Sequence, residues 1–357
     1  MERLAKFLVA PQDSIRDAMV CIDRNAKGIA LVADKERHLI GTITDGDIRR
    51  AILAGVDLGL PVQVLLDQRM ATGQPRPLTA PVGTSDAELL RRMNERSVRH
   101  IPLVDKVGCV MDVALLSDLV KEFELPLTAV VMAGGYGTRL RPLTEDLPKP
   151  MLPVGGRPLM EHIVTQLRDA GIRRVSITTH YKPEAIIQHF GNGEKYGVEI
   201  SYVNEDRPLG TAGALGLMPM PPGPLLVING DILTQVDFGA MVAYHQEHRA
   251  SMTVGVRQYG LQVPYGVIEC EGPYVVQVTE KPQLRFFVNA GIYLLEPAVH
   301  RHIRADRRFD MTDLIQRLLD AQQSVVSFPI HEYWLDIGQH PDYVRAQEDV
   351  ENGRIAP

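Results

Sequence analysis

The 357-residue sequence lacks a cysteine framework. Its three cysteines, Cys21, Cys109 and Cys270, lie far apart and form neither a CxxC pair nor a zinc-ligand spacing. Isolated cysteines in an odd number are typical of a protein from a reducing compartment. The first ten residues lack the apolar segment of a signal peptide, and no uninterrupted apolar run approaches about 18 residues. We therefore expect a soluble cytoplasmic protein without a membrane segment.

An excess of positive charge is also missing. The sequence holds 38 lysines and arginines against 44 acidic residues, which gives a formal net charge of −6. A nucleic-acid binder usually presents a basic face, so this balance argues against nucleic acid as a partner. The hydrophobic fraction of 45 % is ordinary for a folded protein and leaves material for more than one core. A chain of this length is expected to form two or three domains.

Residues 1–124 contain an approximate internal repeat of a small α/β unit. A unit repeated twice usually packs about a pseudo-dyad, because neither copy can bury its sheet face alone. Proline-rich segments at residues 74–77 and 124–126 are expected to separate the copies and to end the repeat. The predicted elements are a helix from Ser14, strands at 28–34 and 39–43, a helix at 47–53, then a helix at 85–94, a strand at 100–105 and a helix from Leu116.

The repeat resembles a tandem CBS-domain pair over nearly all of residues 1–124, most specifically in the segment GTITDGDIRR that begins at Gly41. The resemblance implies an adenine or guanine nucleotide ligand, with Asp47 accepting from the ribose hydroxyls and Thr44 helping to hold phosphate. The second copy departs from the pattern, because Asp118 is present but Leu115 stands where threonine is expected. Alternatively, Thr44 and Asp47 only cap a helix.

A glycine-rich loop follows the first strand of the C-terminal part. The run LTAVVMA at residues 127–133 is apolar and β-branched, which is typical of a fully buried parallel strand. The loop GGYGTRLRP begins at Gly134, and its three glycines let backbone N–H groups approach phosphate oxygens. Arg139 and Lys149 add a forked cation and a point cation, which suits a triphosphate. The carboxyl end of such a strand is where open α/β sheets bind ligands.

Other classes of glycine-rich loop fit the sequence less well. No GxxxxGK[ST] string is present, which excludes a P-loop NTPase, and the glycines follow GGxG rather than GxGxxG. A GGxG string alone could be only a tight turn. The combination with Arg139 and with Pro-Lys-Pro at 148–150 favours phosphate binding.

The string from Met132 to Gly155 resembles the signature of sugar-1-phosphate nucleotidyltransferases, and the resemblance continues through almost all of residues 127–350. The spacing is most similar to the GDP-sugar branch, which includes mannose-1-phosphate guanylyltransferases. The combination with CBS repeats is similar to glucosamine-1-phosphate guanylyltransferases. The resemblance implies GTP and a sugar 1-phosphate as substrates, Mg²⁺ as cofactor and pyrophosphate as a product.

The expected fold class is α/β. Strands at 174–179 and 198–203 alternate with helices at 158–170 and 183–190, which predicts a doubly wound sheet. The resemblance implies that this sheet is mixed, Rossmann-like and of the GT-A type. We therefore expect a tandem CBS pair of βαβ repeats at residues 1–124 and a nucleotidyltransferase catalytic domain at residues 127–357.

For the nucleotide, the resemblance places the base against the LGTAG turn at residues 209–213. At Glu205, a carboxylate can accept from the adjacent N1–H and N2–H₂ donors of guanine. Facing uracil or thymine, the Glu205 carboxylate would lie against carbonyl oxygens of the base, and these acceptors would repel each other at a cost of about 1–3 kcal/mol per unpaired buried group. Guanine is favoured, with a solvated Glu205 as the alternative. The expected nucleotide-binding residues are Ala133, Gly134, Gly135, Gly137, Thr138, Arg139, Lys149, Glu205, Gly210 and Thr211.

For the metal and the sugar phosphate, the resemblance implies two further groups of residues. Asp231, after the apolar run 225–229, and Asp336 are expected to bind Mg²⁺, since carboxylates, phosphate oxygens and waters suit its octahedral shell. Each aspartate could instead cap a turn, and a Glu-Lys pair at 280–281 could be a solvated surface pair. The expected sugar-phosphate residues are Gly266, Glu280, Lys281, Asn289 and Gly291.

The expected reaction is in-line attack of a sugar 1-phosphate oxygen on the α-phosphorus of GTP. The phosphate nucleophile is already ionised, so catalysis needs positioning and charge neutralisation by Arg139, Lys149 and Asp231 with its metal. The alternatives are a thymidylyl-, uridylyl- or cytidylyltransferase and a catalytically inactive nucleotide sensor. We also expect the CBS pair to modulate the enzyme and the chain to form a homo-oligomer, because CBS pairs commonly associate.

Overall fold

The computed structural model describes residues 2–71, 77–96, 98–119, 124–125, 127–304 and 307–355. The chain splits into two compact units, Met1–Glu124 and Leu125–Pro357. The predicted proline-rich separator lies outside the described residues except for Pro77, and so does Pro126 at the predicted end of the repeat. None of the described helices combines the length and the apolar composition that a bilayer crossing requires.

The N-terminal unit contains the predicted repeat. In each copy a short strand pairs in parallel with a central strand, and the central strand pairs antiparallel with a third, giving the orders β1-β2-β3 and β4-β5-β6. The elements are α1 (Glu2–Ala5), β1 (Leu8–Val9), α2 (Ile15–Asn25), β2 (Ile29–Ala33), β3 (Leu39–Thr44), α3 (Asp45–Leu53), α4 (Gln63–Ala71), β4 (Ala80–Pro81), α5 (Asp86–Arg96), β5 (His100–Val104), β6 (Val110–Leu115) and α6 (Leu116–Leu119).

One hydrophobic cluster of this unit joins the two copies. Ile29 and Leu31 of β2 pack in the same cluster as Val110 and Val113 of β6, and all four side chains are buried. The second face of β2 is covered by α2 and α3, because Ala30 and Val32 share a cluster with those helices. The central strand of the first copy thus buries one face against its own helices and the other against the second copy.

The C-terminal unit is built on a seven-stranded mixed sheet of order β11-β10-β7-β12-β17-β14-β18, which confirms the predicted α/β fold class. The elements are β7 (Thr128–Met132), β8 (Pro153–Val154), β9 (Arg157–Pro158), α7 (Leu159–Asp169), β10 (Arg174–Thr179), α8 (Pro183–Phe190), β11 (Glu199–Asn204), α9 (Gly210–Gly213), β12 (Leu225–Asn229), β13 (Ile232–Thr234), α10 (Phe238–Glu247), β14 (Met252–Gln262), β15 (Val267–Glu271), β16 (Tyr274–Thr279), β17 (Gln283–Leu295), α11 (Met311–Asp320), β18 (Val325–Pro329), β19 (Trp334–Asp336) and α12 (His340–Glu351).

The order of the parallel strands fixes where a ligand can enter. The chain adds β10 and then β11 on one side of β7, and afterwards places β12 on the other side. The direction of winding therefore reverses between β7 and β12, and such a switch point leaves a crevice outside the carboxyl ends of the strands. The apolar core of β7 is fully buried, with Ala129, Val130 and Val131 each 0 % exposed.

Candidate active site

A cavity of about 530 Å³ lies at the carboxyl ends of the parallel strands. Its wall includes Thr178 near the end of β10 and Asn229 at the end of β12, as the switch point requires. All ten residues predicted to bind the nucleotide line this cavity: Ala133, Gly134, Gly135, Gly137, Thr138, Arg139, Lys149, Glu205, Gly210 and Thr211. The cavity therefore brings together segments that lie far apart in the sequence.

Two glycines of the loop leave little room for a side chain. A Cβ at Gly137, which has φ 63°, would lie 3.0 Å from Thr144 Cγ2 and 3.1 Å from Lys149 Cβ. A Cβ at Gly134 would lie 2.5 Å from Glu205 Oε1. The loop backbone therefore approaches Glu205 and the Lys149 segment more closely than a larger residue would allow.

Both predicted cations line the cavity. Arg139 belongs to a single 3₁₀ turn, Thr138–Leu140, and its side chain is exposed. Lys149 begins a second such turn and is buried, and its Nζ lies 2.6 Å from Asp231 Oδ2. Lys149 thus pairs with a carboxylate of the site, whereas Arg139 is available to solvent and to a ligand.

The structure brings Asp231 and Asp336 close together. Strand β13, which follows Asp231, pairs antiparallel with β19 so that Ile232 lies opposite Asp336. The backbone N–H of Ile337 donates to Asp231 O at 3.0 Å. Burial raises the pKa of the Asp336 carboxyl, and the charge of Asp231 raises it further, while Lys149 and Arg139 act in the opposite direction. Two carboxylates beside an open cavity form a donor set that suits Mg²⁺ with phosphate oxygens and waters.

The side chain of Glu205 is buried, with 5 % of its surface exposed. Its Oε2 accepts from the backbone N–H of Leu209 at 2.9 Å, and burial raises the pKa of its carboxyl. His180 Nδ1 bonds to the backbone oxygen of Glu205 at 2.7 Å, and His180 Nε2 bonds to the hydroxyl of Tyr136 at 3.0 Å. The alternative of a solvated Glu205 is therefore wrong.

Asp310 and Arg308 also line the cavity, although neither was expected there from the sequence. Asp310 Oδ1 accepts from the backbone N–H of Thr211 at 3.0 Å, and Arg308 Nε donates to Asp310 Oδ2 at 3.2 Å. Thr211 Oγ1 in turn accepts from the N–H of Met311 at 2.9 Å. Asp310 also forms a capping box with Asp313 at the start of α11. The spacing of Asp310 and Asp313 marks a helix N-terminus in the sequence, and it was the signal that could have pointed to Asp310.

The predicted sugar-phosphate residues are not among those that line the cavity. Gly291 adjoins it, because a Cβ at this position would lie 2.6 Å from Nδ2 of Asn229, and the Gly291 N–H donates to Asn289 Oδ1 at 3.0 Å. Gly266 and Glu280 lie together, since a Cβ at Gly266 would be 3.0 Å from Glu280 Oε2. Lys281 is exposed. The five residues thus fall into two groups.

In the N-terminal unit, Thr44 and Asp47 form a capping box at the start of α3. The Thr44 N–H donates to Asp47 Oδ2 at 2.8 Å, and the same carboxylate accepts from Arg50 at 2.8 Å and from Arg69 at 3.0 Å. Thr44 and Asp47 therefore cap the helix, as the alternative interpretation of these residues expected, and two arginines lie beside the Asp47 carboxylate. In the second copy, Asp118 pairs with Arg3.

Comparison with known proteins finds two matching families. The nucleotidyl transferase family model matches residues 128–353, and the CBS domain model matches residues 6–54 and 73–125. A mannose-1-phosphate guanylyltransferase of Mycobacterium tuberculosis is 35 % identical over 236 residues, covering 64 % of this chain and 66 % of that protein. A mannose-1-phosphate guanyltransferase of Yarrowia lipolytica is 34 % identical over 236 residues, covering 61 % of this chain and 62 % of that protein. The chain spans just under two thirds of the length of these relatives.

A solved structure from Bacillus anthracis, assigned as a glucose-1-phosphate thymidylyltransferase and bound to sucrose, aligns with a TM-score of 0.51. It is 25 % identical and the alignment covers 62 % of this chain and 94 % of that one. The family match runs from the first strand of the seven-stranded sheet to the final helix and covers well over half of the residues. The chain therefore belongs to the nucleotidyl transferase family.

Proposed function

We propose that the chain transfers GMP from GTP to a hexose or hexosamine 1-phosphate, forming a GDP-sugar and pyrophosphate. The observation that carries this proposal is one cavity lined by the glycine loop, Arg139, Lys149 and Asp231, with Asp336 beside it. These groups suit a triphosphate, because they combine backbone donors, two cations and a pair of acids whose oxygens suit Mg²⁺. The names of the two guanylyltransferase relatives support guanine as the base.

The proposed step is a displacement at the α-phosphorus. A non-bridging oxygen of the sugar 1-phosphate forms the new P–O bond, and the bond from the α-phosphorus to the bridging oxygen of pyrophosphate breaks. The attacking phosphate is ionised near neutral pH and needs no general base. Arg139 would neutralise charge on the triphosphate, and the cavity would hold the two anions in line.

Asp231 and Asp336 are the residues that would hold Mg²⁺. When bound, the ion supplies positive charge against the phosphate oxygens. Lys149 donates to Asp231 Oδ2 and so orients that carboxylate, leaving Oδ1 for a ligand. On the sugar side, Glu280 and Asn289 would bind hydroxyls and Lys281 the phosphate. Gly266 and Gly291 complete the proposed group of sugar-phosphate residues.

Steady-state pyrophosphate release tests the proposal. GTP, ATP, UTP, CTP and dTTP would each be paired with the 1-phosphates of mannose, glucose and glucosamine. We expect the largest kcat/KM with GTP and one of these sugars. Preference for another base would favour one of the sister transferases, and no release with any pair would favour the inactive nucleotide sensor.

The base preference gives a prediction at Glu205. Replacement of Glu205 by glutamine is expected to lower the ratio of kcat/KM for GTP over UTP by about ten- to a hundredfold, because the amide no longer accepts two donors.

The pH dependence of GTP binding gives a second prediction at Glu205. Burial raises the pKa of this carboxyl, so it protonates at a higher pH than an ordinary glutamate. The KM for GTP should therefore rise as the pH falls through this raised pKa.

A control for this prediction is Glu199→Gln, an exposed position at the start of β11, the strand that ends just before Glu205. This variant should leave the GTP-to-UTP ratio unchanged. An unchanged ratio in Glu205→Gln would show that another residue selects the base.

We also propose that the CBS pair binds an adenine or guanine nucleotide and modulates the transferase, and that the chain is a homo-oligomer. The match to the CBS domain and the two arginines beside Asp47 support this proposal. Calorimetric titration of the full chain with AMP, ATP and GMP should detect a site that Asp47→Ala removes and that Asp57→Ala, an exposed control on the loop after α3, retains. Equal binding by both variants, or no heat with any nucleotide, would refute the CBS site.

A further inference from the structure

The residues that follow β10 contact both the glycine loop and Glu205. Strand β10 ends at Thr179, and His180 comes next. The hydroxyl of Tyr136, in the loop, lies 3.0 Å from His180 Nε2, and the two rings pack edge to face with their centroids 5.5 Å apart. On the other side of the imidazole, Nδ1 lies 2.7 Å from the backbone oxygen of Glu205. His180 therefore bridges the loop after β7 and the residue after β11.

The two partners of His180 determine which ring nitrogen carries the proton. A backbone oxygen can only accept a hydrogen bond, so Nδ1 donates to Glu205 O. In the neutral ring Nε2 is then an acceptor, and the hydroxyl of Tyr136 donates to it. Tyr136 and Glu205 both line the cavity, whereas His180 is not among the described residues that line it. Each nitrogen of His180 thus supports a different residue of the cavity wall.

Glu205 is held at three points. Its backbone N–H donates to Thr179 O at 2.8 Å, its backbone oxygen accepts from His180, and its Oε2 accepts from the N–H of Leu209. The first two contacts come from the end of β10 and fix the peptide groups on both sides of the Glu205 Cα. They therefore fix the direction in which the side chain leaves the backbone. Burial raises the pKa of the Glu205 carboxyl, whereas the Leu209 N–H and the nearby His180 lower it.

The glycine loop rests against the same segment. Tyr136 is 45 % exposed, and a tyrosine that exposed has several rotamers available unless a partner selects one. The bond to His180 selects the rotamer that is observed. A Cβ at Gly134 would lie 3.5 Å from His180 Cβ, and the hydroxyl of Tyr181 donates to the backbone oxygen of Thr144, just after the loop, at 3.3 Å. Residues 180 and 181 thus support both ends of the loop.

We propose that His180 is a positioning residue for base selection, and this inference rests on the proposed function. The imidazole holds Glu205, the residue proposed to select the base, and Tyr136, in the loop proposed to hold the phosphates, in one arrangement. His180 acts through these two residues and not by touching the reacting atoms. Its replacement is therefore expected to act on the binding of GTP more than on the chemical step.

Two polar replacements of His180 separate its two hydrogen bonds. The amide of glutamine reaches the position of Nε2 but leaves no donor at the position of Nδ1, so His180→Gln loses the bond to Glu205 O. This variant is expected to raise the KM for GTP and to lower the ratio of kcat/KM for GTP over UTP, each by about three- to tenfold. The kcat at saturating GTP should change by less than about twofold. A residue that only stabilised the fold would leave the ratio unchanged.

His180→Asn is the conservative counterpart. The amide of asparagine places a donor near the position of Nδ1, so this variant should keep the bond to Glu205 O and a ratio within about twofold of the wild type. It loses the bond to Tyr136, as Tyr136→Phe does, and both variants should raise the KM for GTP. The matched control is Tyr202→Phe, whose lost hydroxyl donates to Gly191 O at 2.7 Å; it should change neither quantity.

A double-mutant cycle between His180→Gln and Glu205→Gln tests whether one residue acts through the other. The dissociation constants of GTP and UTP would be measured by calorimetry on the full chain with Mg²⁺ and without sugar 1-phosphate, so that no turnover is required. If His180 positions Glu205, then His180→Gln lowers the preference for GTP in the wild type and leaves it nearly unchanged in Glu205→Gln. Melting curves of all variants show whether each is folded.

Three results would overturn the role of His180 and leave the transferase proposal standing. They are an unchanged preference for GTP in His180→Gln, an equal effect of this variant in both backgrounds, and a loss in His180→Asn as large as in His180→Gln. An unchanged KM for GTP in Tyr136→Phe would overturn the part assigned to the loop. A wild-type protein that binds GTP and UTP equally would overturn the assignment of guanine and the role of His180 together.

Discussion

Replacing Arg139 with alanine is expected to lower kcat/KM for pyrophosphate release by about 10²–10³-fold. Arg139 lines the cavity beside the glycine loop, and its exposed guanidinium can reach a bound triphosphate. Removal of one preorganised charge-stabilising donor typically has an effect of this size. Arg139→Lys should recover part of the loss, because a point cation keeps the charge but not the two-pronged geometry.

The matched control for this prediction is Arg141→Ala. Arg141 lies two residues further along the same loop, is exposed and does not line the cavity. Its removal should change kcat/KM by less than about twofold, while the melting temperatures of both variants stay close to that of the wild type. Equal losses in the two variants would mean that Arg139 acts through the fold of the loop and not through the nucleotide.

Replacing Asp231 with asparagine is expected to lower kcat by about 10³-fold or more and to raise the Mg²⁺ concentration required for half-maximal rate. The amide has nearly the shape of the carboxylate but removes one of two negative charges that would hold the ion. It also removes the ion pair with Lys149, which Nζ makes with Asp231 Oδ2 at 2.6 Å. Binding of Mn²⁺ in the presence of GTP, followed by electron paramagnetic resonance, gives a readout that does not depend on turnover.

Asp237→Asn serves as the control for the metal prediction. Asp237 follows soon after Asp231 in the sequence but caps α10 by accepting from the N–H of Ala240 at 2.9 Å. The Asp237→Asn variant should leave both kcat and the Mg²⁺ concentration required for half-maximal rate unchanged. Wild-type Mn²⁺ binding by Asp231→Asn would contradict the assignment of Asp231 as a metal ligand.

The nucleotide side of the site could be predicted from the sequence because its signals are local. Strand β10 and helix α8 begin and end at the predicted residues, and their alternation with buried strands predicts parallel order. The glycine-rich loop after β7 was expected to bind a ligand, because open α/β sheets bind ligands at the carboxyl ends of their strands, and the family resemblance placed the base against residues 209–213, after β11. The cavity brings these segments together.

Long-range pairing could not be predicted in the same way. Asp336 approaches Asp231 because β13 pairs with β19, two three-residue strands whose local pattern carries no signal for a partner so distant in sequence. Asp310 reaches Thr211 only through the packing of α11 against α9. A residue that follows a strand can turn towards solvent or towards the core, and the sequence does not decide between them. Glu205 turns inward because its carboxylate accepts from the Leu209 N–H and because Gly134 has no side chain in its way.

Transfer of an isotope label shows which oxygen attacks the α-phosphorus of GTP. The chain would be incubated with unlabelled GTP and with sugar 1-phosphate that carries ¹⁸O in its three non-bridging phosphate oxygens. The masses of the GDP-sugar and of the pyrophosphate would then be measured by mass spectrometry. We expect all three labelled oxygens in the GDP-sugar and none in the pyrophosphate, because a phosphate oxygen of the sugar attacks the α-phosphorus. Label in the pyrophosphate, or the absence of a nucleotide sugar with every base and sugar tested, would contradict this expectation.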